Sequence, residues 1–148
     1  MNLLNPISSI MTKDVITLSP DASISQAAEI FNDKKIHHIP VVNDMKLIGI
    51  VSKSDYLFFR RGFLNDNTDE RIEDIRMNNY EVQDIMTQGI ATMEPTDKIN
   101  VALEVFKENM FHAIPIVEDG NLKGIVTTYD IISTLAKSNG AVAEYTNV

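Results

Sequence analysis

Two stretches of the chain place a glycine, an apolar strand end, a hydroxyl residue and a carboxylate at one spacing: Gly49-Ile50-Val51-Ser52-Lys53-Ser54-Asp55 and Gly124-Ile125-Val126-Thr127-Thr128-Tyr129-Asp130. A hydroxyl residue that opens a helix leaves first-turn N–H groups and the positive end of the helix dipole facing outward, which suits a phosphate. The Ser52 or Thr127 hydroxyl would add a donor there. Asp55 or Asp130, three positions on, is placed to accept hydrogen bonds from vicinal hydroxyls such as those of a ribose. The same spacing is also a capping box, which stabilises a helix start and binds nothing. The residues alone leave both roles open.

The elements that position these motifs are written twice. Ile10-Met11-Thr12 recurs as Ile85-Met86-Thr87, Pro20 as Pro95, Phe31 as Phe106, His37 as His112, and Ile39-Pro40 as Ile114-Pro115. The match runs without a gap from 10–57 onto 85–132. In each copy a short β-prone stretch comes first, 15–18 in copy one, closed by Ser19-Pro20-Asp21. Ile24, Ala27, Ala28 and Phe31 then form one helical stripe behind Ser23 as N-cap, and Ile99, Ala102, Leu103 and Phe106 repeat it. Strands are expected at 39–42 and 114–117, turns at 43–46 and 118–121, and second strands at 47–51 and 122–126; Asp119-Gly120 is a strong hairpin signal. Ser52 and Thr127 open the last helix of each copy. The predicted fold is α/β (α+β): two β-α-β-β-α repeats packed about a pseudo-two-fold axis. One repeat alone buries little surface.

The domain plan is repeat one at 7–62, a linker at 63–81, repeat two at 82–138 and a C-terminal tail at 139–148. In the linker, the preceding helix should extend and break at Gly62, a polar turn should cover 65–69, and 70–77 should form a short acidic helix. The tail has no pattern and is expected to be mobile.

Composition narrows the function classes. The chain has 148 residues, 44% hydrophobic and 23% charged, which is ordinary for a globular protein. A formal net charge of -8 argues against a broad nucleic-acid or anionic-membrane surface. A small anionic ligand remains compatible, because local cations outweigh a distant field beyond about 8–10 Å of screening. The absence of cysteine removes disulfides, thiolate metal sites and cysteine nucleophiles. No apolar run reaches the roughly 18 residues of a membrane span. The first residues have no basic region and no long apolar core, so a secretory signal is not expected and a cytoplasmic location is. The seven methionines fit packing better than a cofactor box. The acidic run at 66–74 lacks the glycine and spacing of a calcium loop, and no metal site is expected.

Ile-Met-Thr at each start, His-x-Ile-Pro before a strand and Gly-Ile-Val-(Ser/Thr)-x-x-Asp at the last helix, in this order and twice, resemble a tandem pair of cystathionine-β-synthase (CBS) domains, a Bateman module. The resemblance covers about residues 7–137. It implies adenosyl ligands in clefts between the two repeats, with the aspartate on the ribose and apolar residues around adenine. Carried onto this chain, one site uses Thr12, Val15, Ile36, Ser52 and Asp55, with His112 reaching in. The other uses Thr87, Ile90, Phe111, Thr127 and Asp130, with His37 and His38 reaching in. Two histidines against one imply tighter phosphate binding at the Asp130 site. Many relatives carry an arginine near these positions, and this chain does not. Arg60 and Arg61 could compensate from the linker, although a solvated helix end suits them better.

The expected function is therefore a regulatory sensor of adenosyl ligands (AMP, ADP, ATP, S-adenosylmethionine or cyclic di-AMP) with no required cofactor. It would signal through the geometry of a homodimer or through an unknown protein partner. The alternative is a ligand-free module for dimerisation or docking. An enzyme is not expected: His37 and His38 are adjacent on a presumed strand and point to opposite faces, which is poor geometry for one metal. No nucleophile elbow or Glu-x-x-His is present either.

Overall fold

The computed structural model describes residues 1–62, 69–109 and 111–138. Its elements run α1 (Ile24–Asp33), β1 (His38–Asn43), β2 (Lys46–Ser52), α2 (Lys53–Arg61), α3 (Glu70–Asn79), α4 (Ile99–Asn109), β3 (Ala113–Glu118), β4 (Asn121–Thr127) and α5 (Thr128–Ser138). Single 3-10 turns at Ile7–Ser9 and Val82–Asp84 open the two repeats. The expected polar turn at 65–69 falls, apart from Asp69, outside the described residues, as does the expected tail. The acidic helix of the linker is α3. Gly62 caps α2, as the sequence predicts.

Helix α1 starts where Ser23 accepts from the Gln26 amide at 3.3 Å while Gln26 Oε1 accepts from the Ser23 amide at 2.9 Å. Its predicted stripe, Ile24, Ala27, Ala28 and Phe31, is buried. Strands β1 and β2 pair antiparallel, Ile39 opposite Val51 and Val41 opposite Gly49, with a register shift between Val41 and Val42. Asp44 and Met45 turn this hairpin with φ of 47° and 71°. Asp119 and Gly120 turn the β3–β4 hairpin with φ of 52° and 80°. Two successive positive φ values give the turn that matches the twist of a two-residue hairpin.

The expected first strand of each repeat is reduced to a single paired residue. Leu18 donates to the Pro40 carbonyl at 3.1 Å and accepts from the Val42 amide at 2.9 Å. Met93 does the same with Pro115 and Val117, at 3.2 and 2.8 Å. A parallel ladder would grow from there through the N–H of residue 40 on one side and of residue 20 on the other. Both are prolines and have no N–H, and so are Pro115 and Pro95 in the second copy. The four repeated prolines thus stop each ladder after one residue.

The chain forms two compact units, and neither is a sequence repeat. The first contains Met1–Lys13, Thr92–Glu118 and the described part of Lys123–Val148; the second contains Asp14–Ala91 and Asp119–Leu122. Each has its own core. In the second, Phe31, Ile39, Val41, Val51 and Tyr56 meet Met77 of α3 and Val82. In the first, Ile99, Phe106, Ile114, Ile116 and Val126 meet Ile7. The segment that opens each sequence repeat therefore packs with the helices of the other. Ile7 and Ser8 donate to the carbonyls of Asp97 and Pro95 at 2.6 and 3.1 Å; Val82 and Gln83 donate to those of Ala22 and Pro20 at 2.8 and 3.0 Å.

Candidate functional site

Both Ser/Thr-x-x-Asp motifs fold as complete capping boxes. The Ser52 amide and hydroxyl donate to Asp55 Oδ2 at 2.9 and 2.6 Å, and the Asp55 amide donates back to Ser52 Oγ at 3.1 Å. The Thr127–Asp130 distances are 2.8, 2.6 and 3.2 Å. Two consequences follow for ligand chemistry. The single hydroxyl hydrogen of Ser52 or Thr127 is committed to its aspartate, so the hydroxyl offers a phosphate no donor while the cap is closed. The second carboxylate oxygen, Oδ1, accepts nothing from the described residues. Each aspartate is half-buried. One oxygen is thus held by the helix start.

The first-turn amides are also partly spent. Lys53 donates to the His37 carbonyl at 2.8 Å, and Thr128 to the His112 carbonyl at 3.1 Å. These bonds tie the turn before β1 or β3 onto the helix start that carries the aspartate. The next amides, those of Ser54 and Tyr129, have no partner outside their helices among the described residues.

The glycine of each motif answers to close approach. A Cβ on Gly49 would sit 2.8 Å from Met86 Sδ and 2.9 Å from the Thr87 carbonyl oxygen. On Gly124 it would sit 2.7 Å from Met11 Sδ and 2.8 Å from the Thr12 carbonyl oxygen. Reciprocal backbone bonds fix these contacts: Ile50 with Thr87 at 3.0 and 2.8 Å, and Ile125 with Thr12 at 3.0 and 2.9 Å. The two most regular motifs of the sequence, Gly-Ile-Val and Ile-Met-Thr, are docking partners.

The units distribute the predicted site residues accordingly. The second unit holds Val15, Ile36, His37, His38, Ser52, Asp55, Thr87 and Ile90; the first holds Thr12, Phe111, His112, Thr127 and Asp130. Within its unit Thr87 lies two residues from Ser52 through its bonds to Ile50, and Thr12 lies likewise near Thr127. The sequence reading grouped these threonines with the other aspartates. Val15, Ile36 and Ile90 are half-buried, and Ile36 packs on the core of its unit. Phe111 is exposed, as are His37 and His112, while His38 is half-buried.

Arg60 is engaged elsewhere. It pairs with Glu73 of α3, and that bond, together with the nearby Tyr56 phenol, raises its pKa above the ordinary guanidinium value. Among the described residues no cluster of three His, Cys, Asp or Glu side chains could hold a metal ion, and no helix is long and apolar enough to cross a membrane.

The CBS domain family model matches residues 7–62 and 82–137, and the chain belongs to this family. Protein MJ1225 of Methanocaldococcus jannaschii is 31% identical over 97% of this chain and 50% of its own length. The chain spans 50% and 22% of two of the curated relatives it matches. CBSX2, solved in complex with AMP, superposes with a TM-score of 0.75 at 23% identity, covering 92% of this chain and 99% of that one. The CBS pair of MJ0100, solved with 5-methylthioadenosine and S-adenosylmethionine, gives 0.72 at 22% identity over 92% and 99%. At these identities the likeness establishes the shared fold.

Proposed function

We propose that this chain is a regulatory module that senses an adenosyl ligand, with the ribose hydroxyls on Asp55 and Asp130 and no chemistry of its own. One observation carries the reading: in both repeats the carboxylate is fixed by bonds to one oxygen while the other oxygen faces no partner. A carboxylate held this way is pre-organised, and pre-organisation lowers the ordering cost of binding. The AMP, 5-methylthioadenosine and S-adenosylmethionine in the two similar structures support the ligand class. AMP, ADP, ATP and S-adenosylmethionine all present the free ribose 2′,3′-hydroxyl pair that these aspartates would read, whereas cyclic di-AMP presents only its 2′-hydroxyls.

The signal passes through a homodimer or a protein partner. Helix α5 leaves Tyr129 75%, Ile132 63% and Leu135 42% exposed at helical spacing, an apolar stripe suited to a second subunit. Ligand binding then biases one dimer geometry over another by a population shift.

A second reading rests on the same capping boxes. If the aspartates serve only their helices, the chain is a ligand-free dimerising or docking module. A thermal-shift screen of nucleotide-stripped protein separates the two. AMP, ADP, ATP, S-adenosylmethionine, NAD and cyclic di-AMP are each tested at about 1 mM. A ligand at 100 times its Kd adds about 2.7 kcal/mol, or several degrees of Tm. The expected result is a shift with at least one compound, lost in the Asp55→Ala/Asp130→Ala variant. No shift with any of them leaves the aspartates as caps.

A further inference from the structure

We propose that Met11 and Met86 are a matched pair of oxidation sites: conversion of either thioether to its sulfoxide by a peroxide releases the Met-Thr segment from its glycine and loosens the core that the segment covers. The inference rests on packing within each unit and needs no ligand.

Contact, access and attachment set these two methionines apart. A Cβ on Gly49 would sit 2.8 Å from Met86 Sδ, and one on Gly124 2.7 Å from Met11 Sδ, so each sulfur already lies against strand backbone. On its other side Met86 packs on the core of Phe31 and Val51, and Met11 on that of Ile114 and Val126. Both residues are nevertheless half-buried, which leaves part of each within reach of a small oxidant. Met77 and Met93, 8% and 5% exposed, are sealed in the cores, and Met45, 64% exposed, stands open on a hairpin turn. Each Met-Thr segment meets its strand through one isolated bridge, Thr87 with Ile50 and Thr12 with Ile125. Two backbone bonds make up each bridge. A long ladder would spread the loss of one side-chain contact over many bonds; a single bridge does not.

The step is an oxygen transfer. A sulfur lone pair attacks one peroxide oxygen, the O–O bond breaks and an S–O bond forms. The hydroxide released takes the proton from the new S–OH and leaves as water. Sulfur is oxidised by two electrons and the peroxide is reduced. The product carries a polar, strongly accepting oxygen on a side chain that was apolar. On the glycine side the sulfur already touches the backbone. On the core side the oxygen would be buried against hydrocarbon, where an unpaired polar group is costly. The oxidised side chain therefore turns to water and the bridge opens with it. Sulfoxide reduction restores the thioether, so the release is reversible.

Titration of the whole protein with hydrogen peroxide tests this, with peptide mass mapping, amide exchange and a melting curve on each sample. Met45 should be oxidised first, with no change in Tm. Met11 and Met86 should follow, ahead of Met77 and Met93, and lower Tm by about 5–10 °C. The amides of Thr12, Ile50, Thr87 and Ile125 should then exchange about tenfold faster, while those of Leu18 and Met93, bonded to Pro40 and Pro115, stay protected. Methionine sulfoxide reductase should restore both readings. Met11→Leu/Met86→Leu, a nearly volume-conserving change, should keep its Tm through the same titration. A fall in Tm that tracks Met45, or that persists in the double variant, overturns the proposal. So does a Met11 and Met86 pair that stays reduced until Met77 and Met93 react. Where the double variant folds poorly, the mapped order of oxidation in the unaltered protein, set against its Tm and exchange, decides.

Discussion

The unit around Asp55 and the unit around Asp130 begin alike and are finished differently. Both close their last helix with the same capping box, and both receive a Met-Thr segment against a glycine. Only the Asp55 unit has α3. There Met77 is buried, Glu73 holds Arg60, and Tyr80 meets the Phe59 ring edge-on at 5.2 Å. Phe31 of that unit is also stacked on Tyr56 at 5.9 Å, where the other unit has Phe106 and Ile131. Duplication preserved the parts on which folding of both units depends, and each unit has acquired its own outer packing.

That comparison can be broken most forcefully at the core. Phe31 is 1% exposed and Phe106 is 9% exposed. Phe31→Ala should cost about 4 kcal/mol and Phe106→Ala about 3 kcal/mol, read from urea denaturation. An equal or reversed order would show that the aromatic stack and the cover of α3 add nothing. Next in size are the glycines. Gly49→Ala and Gly124→Ala should each cost about 2 kcal/mol, because the added carbon meets a backbone carbonyl that no rotamer change removes. A large difference between these two would mean that one Met-Thr segment is held less firmly. The smallest effect lies at the hairpin turns. Met45 sits at φ 71° where the second copy has Gly120, so Met45→Gly should stabilise by about 1 kcal/mol and raise Tm by a few degrees. A loss of stability would show that the exposed Met45 side chain makes a contact that outweighs its backbone cost.

Much of this architecture was legible in the chain. The ungapped repeat gave the helices, both hairpins and the two capped aspartates. The Asp-Gly signal marked one turn clearly, while Asp44-Met45 was visible chiefly through its counterpart. The first strands were over-read. Residues 15–18 have β-prone side chains, but strand length depends on which N–H groups face them, and Pro20 and Pro40 supply none. The exchange of Met-Thr segments left no trace in the sequence, because both copies have identical spacing and either docking would satisfy it. The commitment of the Ser52 and Thr127 hydroxyl hydrogens required geometry as well, since the same residues serve a cap or a phosphate.

The exchanged segments also govern how the chain can be made. On a ribosome, Ile7, Ile10 and Met11 emerge well before Val126 and Ile131, which complete the core they belong to. At 5–20 residues per second, those apolar side chains wait roughly ten seconds for their partners. The Asp14–Ala91 stretch can assemble most of its core in the meantime. Residues made early are therefore buried late, and neither sequence repeat expressed alone contains a whole core.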